Sequence, residues 1–155
     1  MENQPIRQEF PAGMIIILIL LGLHLWTYLI TMLRESIFQF GPVLMMGLVA
    51  TIIKLLISGI VAVIFYGIVK RFKWARKLAI GFYAFFMILK PINLVSIMSN
   101  KSMYDVYFQK HLPLANVAVI SKLVFSMQSV AAVLGVIIDF AIIFYLIRKK
   151  DFFVN

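Results

Sequence analysis

The chain of 155 residues contains no cysteine. That absence excludes disulfides, thiolate metal sites and a thiol nucleophile. Charge is scarce as well, at 14% of residues, with only six Asp and Glu against fifteen Lys and Arg. A soluble domain of this length needs a hydrated, charged surface, and these residues are too few to make one. There are two histidines, His24 and His111, too far apart in the chain to suggest a shared metal. No paired-carboxylate motif, glycine-rich phosphate loop or His-Glu-x-x-His is found, so the sequence predicts no enzyme activity, no metal and no cofactor.

What the chain has is apolar length. Hydrophobic residues make up 63% of it, gathered in runs of about 20 or more, enough to cross roughly 30 Å of hydrocarbon as helix. The expectation is an all-α integral membrane protein, a single four-helix transmembrane domain over residues 1–155. The spans are placed at about 13–33, 43–69, 77–98 and 117–147. The last is longer than a bilayer core, so the turns around Lys122 are expected at or beyond the outer interface. "MENQPIRQEFPAG" lacks the features of a secretory signal, and the apolar stretch after it is expected to remain as the first span.

Basic residues set the orientation. "KRFKWARK" holds five, "RKK" at 148–150 holds three and the first tail has Arg7, which four spans place on one face. The other face has Arg34, Lys101, Lys110 and Lys122. Nine against four predicts both termini in the cytoplasm. The outer segment "NKSMYDVYFQKHLPL" between helices 3 and 4 carries Met103, Tyr107 and Phe108 on one helical edge before Pro113, the pattern of a short interfacial helix. With the +9 net charge clustered at span ends rather than in a stripe interleaved with aromatics, the partner is the lipid bilayer and not nucleic acid.

A few residues inside the spans need a reason. A central lysine costs about 2.5–3.5 kcal/mol on an insertion scale, and each Leu, Ile, Val or Phe returns about 0.3–0.6. The thirteen such residues between Val49 and Val69 return roughly 4–8 kcal/mol, so helix 2 tolerates Lys54. Lys54, Ser58 and Ala62 share one face by i, i+4 spacing, as do Ala131, Gly135 and Asp139. Each set is a small-residue seam ending in an ionisable group, expected to pack against another helix, with Gly135 meeting helix 2 near Ser58.

Depth along the helices suggests partners. At about 1.5 Å per residue, Asp139 lies near 13 Å from the inner boundary, His24 near 16 Å, Lys90 near 20 Å and Lys54 near 24 Å. His24 and Asp139 therefore form a candidate buried pair, either a proton relay or a hydrogen-bonded tie between helices 1 and 4. Lys54 and Lys90, with no acid at their own level, are expected to floor an outward polar cleft edged by Asn93 and Ser96. Such a cleft would receive an anionic lipid headgroup or a small anion; the alternative is two lysines snorkelling to the outer headgroups. Pro91 is expected to kink helix 3 beside Lys90.

"AGMI", with Gly13 entering helix 1, the basic loop before helix 3 and the ending "KKDFFVN" form a pattern. It resembles the bacterial four-pass membrane proteins grouped as domain of unknown function 2569. Lys150, Phe153 and Val154 match that family's closing motif, while Met14 and Phe152 stand where its members tend to have tryptophan and threonine. The resemblance implies a multi-pass protein of the bacterial inner membrane and supplies no activity or site.

Taken together, the residues predict a non-catalytic accessory or interaction subunit, packing as a homo-oligomer or with a larger membrane-protein partner. A small transporter or channel built on the polar cleft is the second expectation. An intramembrane enzyme acting on lipid is the third.

Overall fold

The computed structural model describes residues 10–32, 37–99 and 117–154. The expected outer interfacial segment, with Met103, Tyr107, Phe108 and Pro113, lies outside the described residues. The elements are α1 (Ala12–Met32), a hairpin of β1 (Ile37–Phe40) and β2 (Val43–Met46), α2 (Leu48–Val69), α3 (Lys73–Ser99) and α4 (Val117–Arg148). A 3-10 turn, Lys150–Phe152, follows α4. Four helices are long and apolar enough to cross a membrane: α1, α2, α3 and the Phe125–Arg148 part of α4.

Two boundaries differ from the sequence reading. Residues 43–46, assigned there to the start of helix 2, are the second strand of the hairpin. Gly41 has φ +57 and is followed by Pro42, whose ring fixes a negative φ. A left-handed first residue before a right-handed second is the arrangement of a type II′ turn, which matches the twist of antiparallel strands. The pairing runs from Ile37 opposite Met46 to Phe40 opposite Val43. Gly47, at φ +64, then breaks the strand and lets α2 begin. The second difference is α3, which starts at Lys73 rather than near 77, so Lys73, Arg76 and Lys77 lie on its first turns.

The connection between α2 and α3 is correspondingly tight. Phe72 N–H donates to Gly67 O at 2.9 Å and Arg71 N–H to Ile68 O at 3.0 Å. These are the two bonds of a Schellman motif, with Arg71 at φ 60 in the left-handed position that glycine usually takes. A non-glycine there costs about 1–2 kcal/mol. The Arg71 guanidinium is held by two rings, 5.0 Å from the centroid of Phe10 and 4.8 Å from that of Phe152. Phe10 and Phe152 themselves meet edge to face at 5.1 Å. The entry to α1, the α2–α3 turn and the exit from α4 thus converge at one end of the molecule, the clamp end.

The apolar core fills the half nearest that clamp. Buried positions recur every three or four residues: Met14, Ile17 and Leu21 on α1; Val61, Ile64 and Ile68 on α2; Ala75, Ala79 and Tyr83 on α3; Ile142 and Leu146 on α4. This period turns one stripe of each helix inward. Phe152 and Phe153 close the cluster from below. Two glycines permit the closest approaches. A Cβ on Gly13 would clash with the Tyr145 ring, and one on Gly67 with Ala75 Cβ. The hairpin half is different, because Lys54, Ser58 and Asp139 are buried there beside Ala50, Leu89 and Ile97.

Candidate functional site

Asn93, two residues past Pro91 on α3, anchors the hairpin. Its Oδ1 accepts from Gly41 N–H at 2.7 Å, and its Nδ2 donates to Gln39 O at 3.2 Å. Gln39 Nε2 returns a bond to the Asn93 carbonyl at 3.0 Å. The backbone groups of a chain reversal need partners, and one asparagine satisfies a donor and an acceptor of this one. Phe40 stacks on Phe85 beside it, centroids 6.1 Å apart.

One turn closer to the core lies the ion pair. Lys90 Nζ on α3 donates to Asp139 Oδ2 on α4 at 2.5 Å. Asp139 is 2% exposed, so an unpaired carboxylate there would carry a large desolvation penalty. The lysine passes Gly135, one turn before Asp139. The nearest atoms to a Cβ at 135 would be Lys90 Nζ at 2.9 Å and its Cδ and Cε at 3.1 Å. The lysine stem runs over bare backbone to reach the acid.

Three cavities surround Lys90. A cleft of about 270 Å³ is lined by Leu20, His24, Thr27, Gly135, Asp139 and other residues. A second of about 250 Å³, towards the hairpin, is lined by Gln39, Asn93, Ile97 and Gln128 among others. A third, smaller space of about 80 Å³ is bordered by His24, Tyr28, Tyr83, Lys90, Asp139 and two phenylalanines. Lys90 borders all three.

The sequence candidates fall as follows. Lys90 and Asn93 line one cleft, but Lys54 lines none of these three, and neither does Ser96. Lys54 is buried on α2 and donates to the Thr31 carbonyl of α1 at 3.4 Å. The two lysines expected to share a floor therefore serve different helix pairs. Ser96 Oγ donates to Ile92 O within its own helix, at 2.8 Å. His24 lines the same two cavities as Asp139, but the carboxylate's bonded partner is Lys90. Gly135 faces Lys90 of α3 rather than Ser58. Ser58 is buried and returns its hydroxyl to Lys54 O at 2.8 Å. Both seams stop short, since Ala62 and Ala131 are exposed.

Tyr83, Gln39 and Gln128 were not singled out in the sequence. Two of them carried a signal: Tyr83 precedes Lys90 by seven residues and Gln128 precedes Asp139 by eleven, both whole-turn spacings that share a helical face. The arrangement holds a compensated charge pair beside cavities of mixed polar and apolar lining, among groups able to donate and accept protons. Comparison of the chain with family models, curated proteins and solved structures finds no match.

Proposed function

We propose that this chain is a multi-pass protein of the bacterial inner membrane that works without chemistry of its own. It is an accessory or interaction subunit that packs with copies of itself or with a larger membrane partner. Kinship with domain of unknown function 2569 belongs to the same proposal. The observation that carries the non-catalytic reading is where the charge within the helices goes. Lys90 and Asp139 are spent on each other, joining α3 to α4, and Lys54 caps the end of α1. Outward faces are apolar, with Trp26, Leu56, Met127 and Phe140 all more than half exposed, which suits a lipid surround.

The clamp end gathers Lys70, Arg71, Lys73, Arg76, Lys77 and the basic residues after α4, which supports placing it, and both termini, at the cytoplasmic face. A reporter fluorescent only in the cytoplasm, fused after Asn155, is expected to be bright; an active periplasmic reporter at that position would refute the orientation. Native mass spectrometry in mild detergent tests the subunit reading, which requires a stable homo-oligomer or a complex with another membrane protein.

A second reading, a small transporter or channel, is favoured by one observation: Lys90 borders cavities on both its hairpin side and its core side. A monomer that dissipates an ion gradient in liposomes would establish this reading over the first.

A further inference from the structure

The smallest of the three cavities contains an unmet hydrogen bond. Tyr83 is 1% exposed, and its hydroxyl has no partner among the described residues. It lines the same space of about 80 Å³ as Asp139. Asp139 uses Oδ2 for Lys90, and its Oδ1 takes no hydrogen bond among the described residues. A cavity of about 10–15 Å³ seats one water, so this one has room for more. A buried hydroxyl left open beside a carboxylate oxygen, in a space with room for water, is a setting in which ordered water is found.

We infer that this cavity is a hydrated proton-binding site, with water held between Tyr83 Oη and Asp139 Oδ1 and with His24 as the group that takes up and releases the proton. His24 lines this space and also the larger, more open cleft beside it, so it connects the buried water to the outside. A proton arriving along that cleft adds to the imidazole nitrogen, giving an imidazolium beside the Lys90–Asp139 pair and a net charge of one on the cluster, which the cavity water and the open cleft must solvate; release returns the same proton to water. No electrons move and no other bond changes.

The chemistry of the lining selects the proton over other ions. Lys90 and Asp139 cancel, so with neutral His24 the site carries no net charge to attract an anion. A metal cation would have to displace an ammonium from its carboxylate. The titratable or charged groups facing His24 here are Tyr28 of its own helix, Tyr83 and Lys90 of α3 and Asp139 of α4; α2 supplies none of the lining. The inference holds whether the chain acts as a subunit or as a carrier, since it concerns proton binding and not flux.

The test is a pH titration of the full chain in detergent micelles or lipid, following histidine ring signals by NMR. The chain has only two histidines, and His24→Gln identifies the signal wanted. The His24 ring signals are expected to move with pH through one protonation step. Asp139→Asn is expected to displace its midpoint by about half a pH unit or more, as a unit charge on the same small cavity would. Tyr83→Phe, which removes a hydroxyl bonded to no described protein group, is expected to move it by a smaller, measurable amount. That variant decides the matter alone if Asp139→Asn does not fold. His24 ring signals that do not change with pH, or a midpoint that ignores Tyr83→Phe, would overturn the site.

Discussion

Lys90 reaches Asp139 across the α3–α4 interface by running its stem over the bare backbone of Gly135. The glycine and the ion pair are one device. Gly135→Ala is expected to deflect the flexible lysine stem and lower stability by about 1 kcal/mol, and Gly135→Leu by clearly more. Thermal unfolding in a fixed detergent measures both. Stabilities equal to wild type would show that the lysine does not lie over residue 135.

Breaking the pair from either side should cost more than removing it whole. Lys90→Met leaves the fully buried carboxylate of Asp139 uncompensated, a loss of about 3–5 kcal/mol by the experience of buried pairs. The double variant Lys90→Met/Asp139→Leu should recover part of that loss. Chemical or thermal unfolding of the four species completes the cycle. A double variant worse than the sum of the singles would contradict the pairing.

Glycines elsewhere should separate by what faces them. Gly67→Ala drives a methyl against Ala75 Cβ and the Trp74 ring, which cannot swing aside as a lysine stem can. A loss of about 1–3 kcal/mol is expected. At Gly59 and Gly81 an added Cβ meets nothing within 4 Å. Alanine there should be neutral or gain up to about 1 kcal/mol in helix propensity. The same unfolding assay ranks the three.

Asn93→Leu should act locally. It removes two of the hydrogen bonds to the reversal at Gly41 and leaves the Gln39 bond to the residue-93 carbonyl. Faster amide exchange over residues 37–46, with exchange in α1 and the core half of α4 unchanged, is the expected mass-spectrometric result. Uniform acceleration across all helices would mean that Asn93 supports the bundle rather than the hairpin.

The helices were legible because a bilayer-length apolar run leaves little choice, and their ends fell within a few residues of expectation. The hairpin was not. Val43–Met46 runs into α2 with no polar break, and only Gly41-Pro42 and Gly47 mark the change of backbone. The start of α3 was hidden by the basic residues 73–77, whose charge reads as loop but which also form helix. In the site, the ionisable residues themselves were visible; their pairing was not. Counting rise along straight helices put Lys90 and Asp139 about 7 Å apart in depth. That count ignores the four-carbon stem of lysine, which closes much of such a gap, and says nothing of the rotation that sets which helix a side chain faces. Ser96 looked like polar lining, but a helical serine can bond to the preceding turn, as Ser96 and the seam residue Ser58 both do.

The clamp around Arg71 also bears on the order of assembly. Phe10 precedes every helix and Phe152 follows them all, yet both rings sit on the same guanidinium. During synthesis the first ring can engage as soon as the α2–α3 turn exists, whereas the second must wait for α4. Three helices can therefore gather early around a half-made latch, and the apolar core shuts only when the aromatic pair Phe152-Phe153 arrives. A chain stalled before that pair would leave the clamp end of its core uncovered.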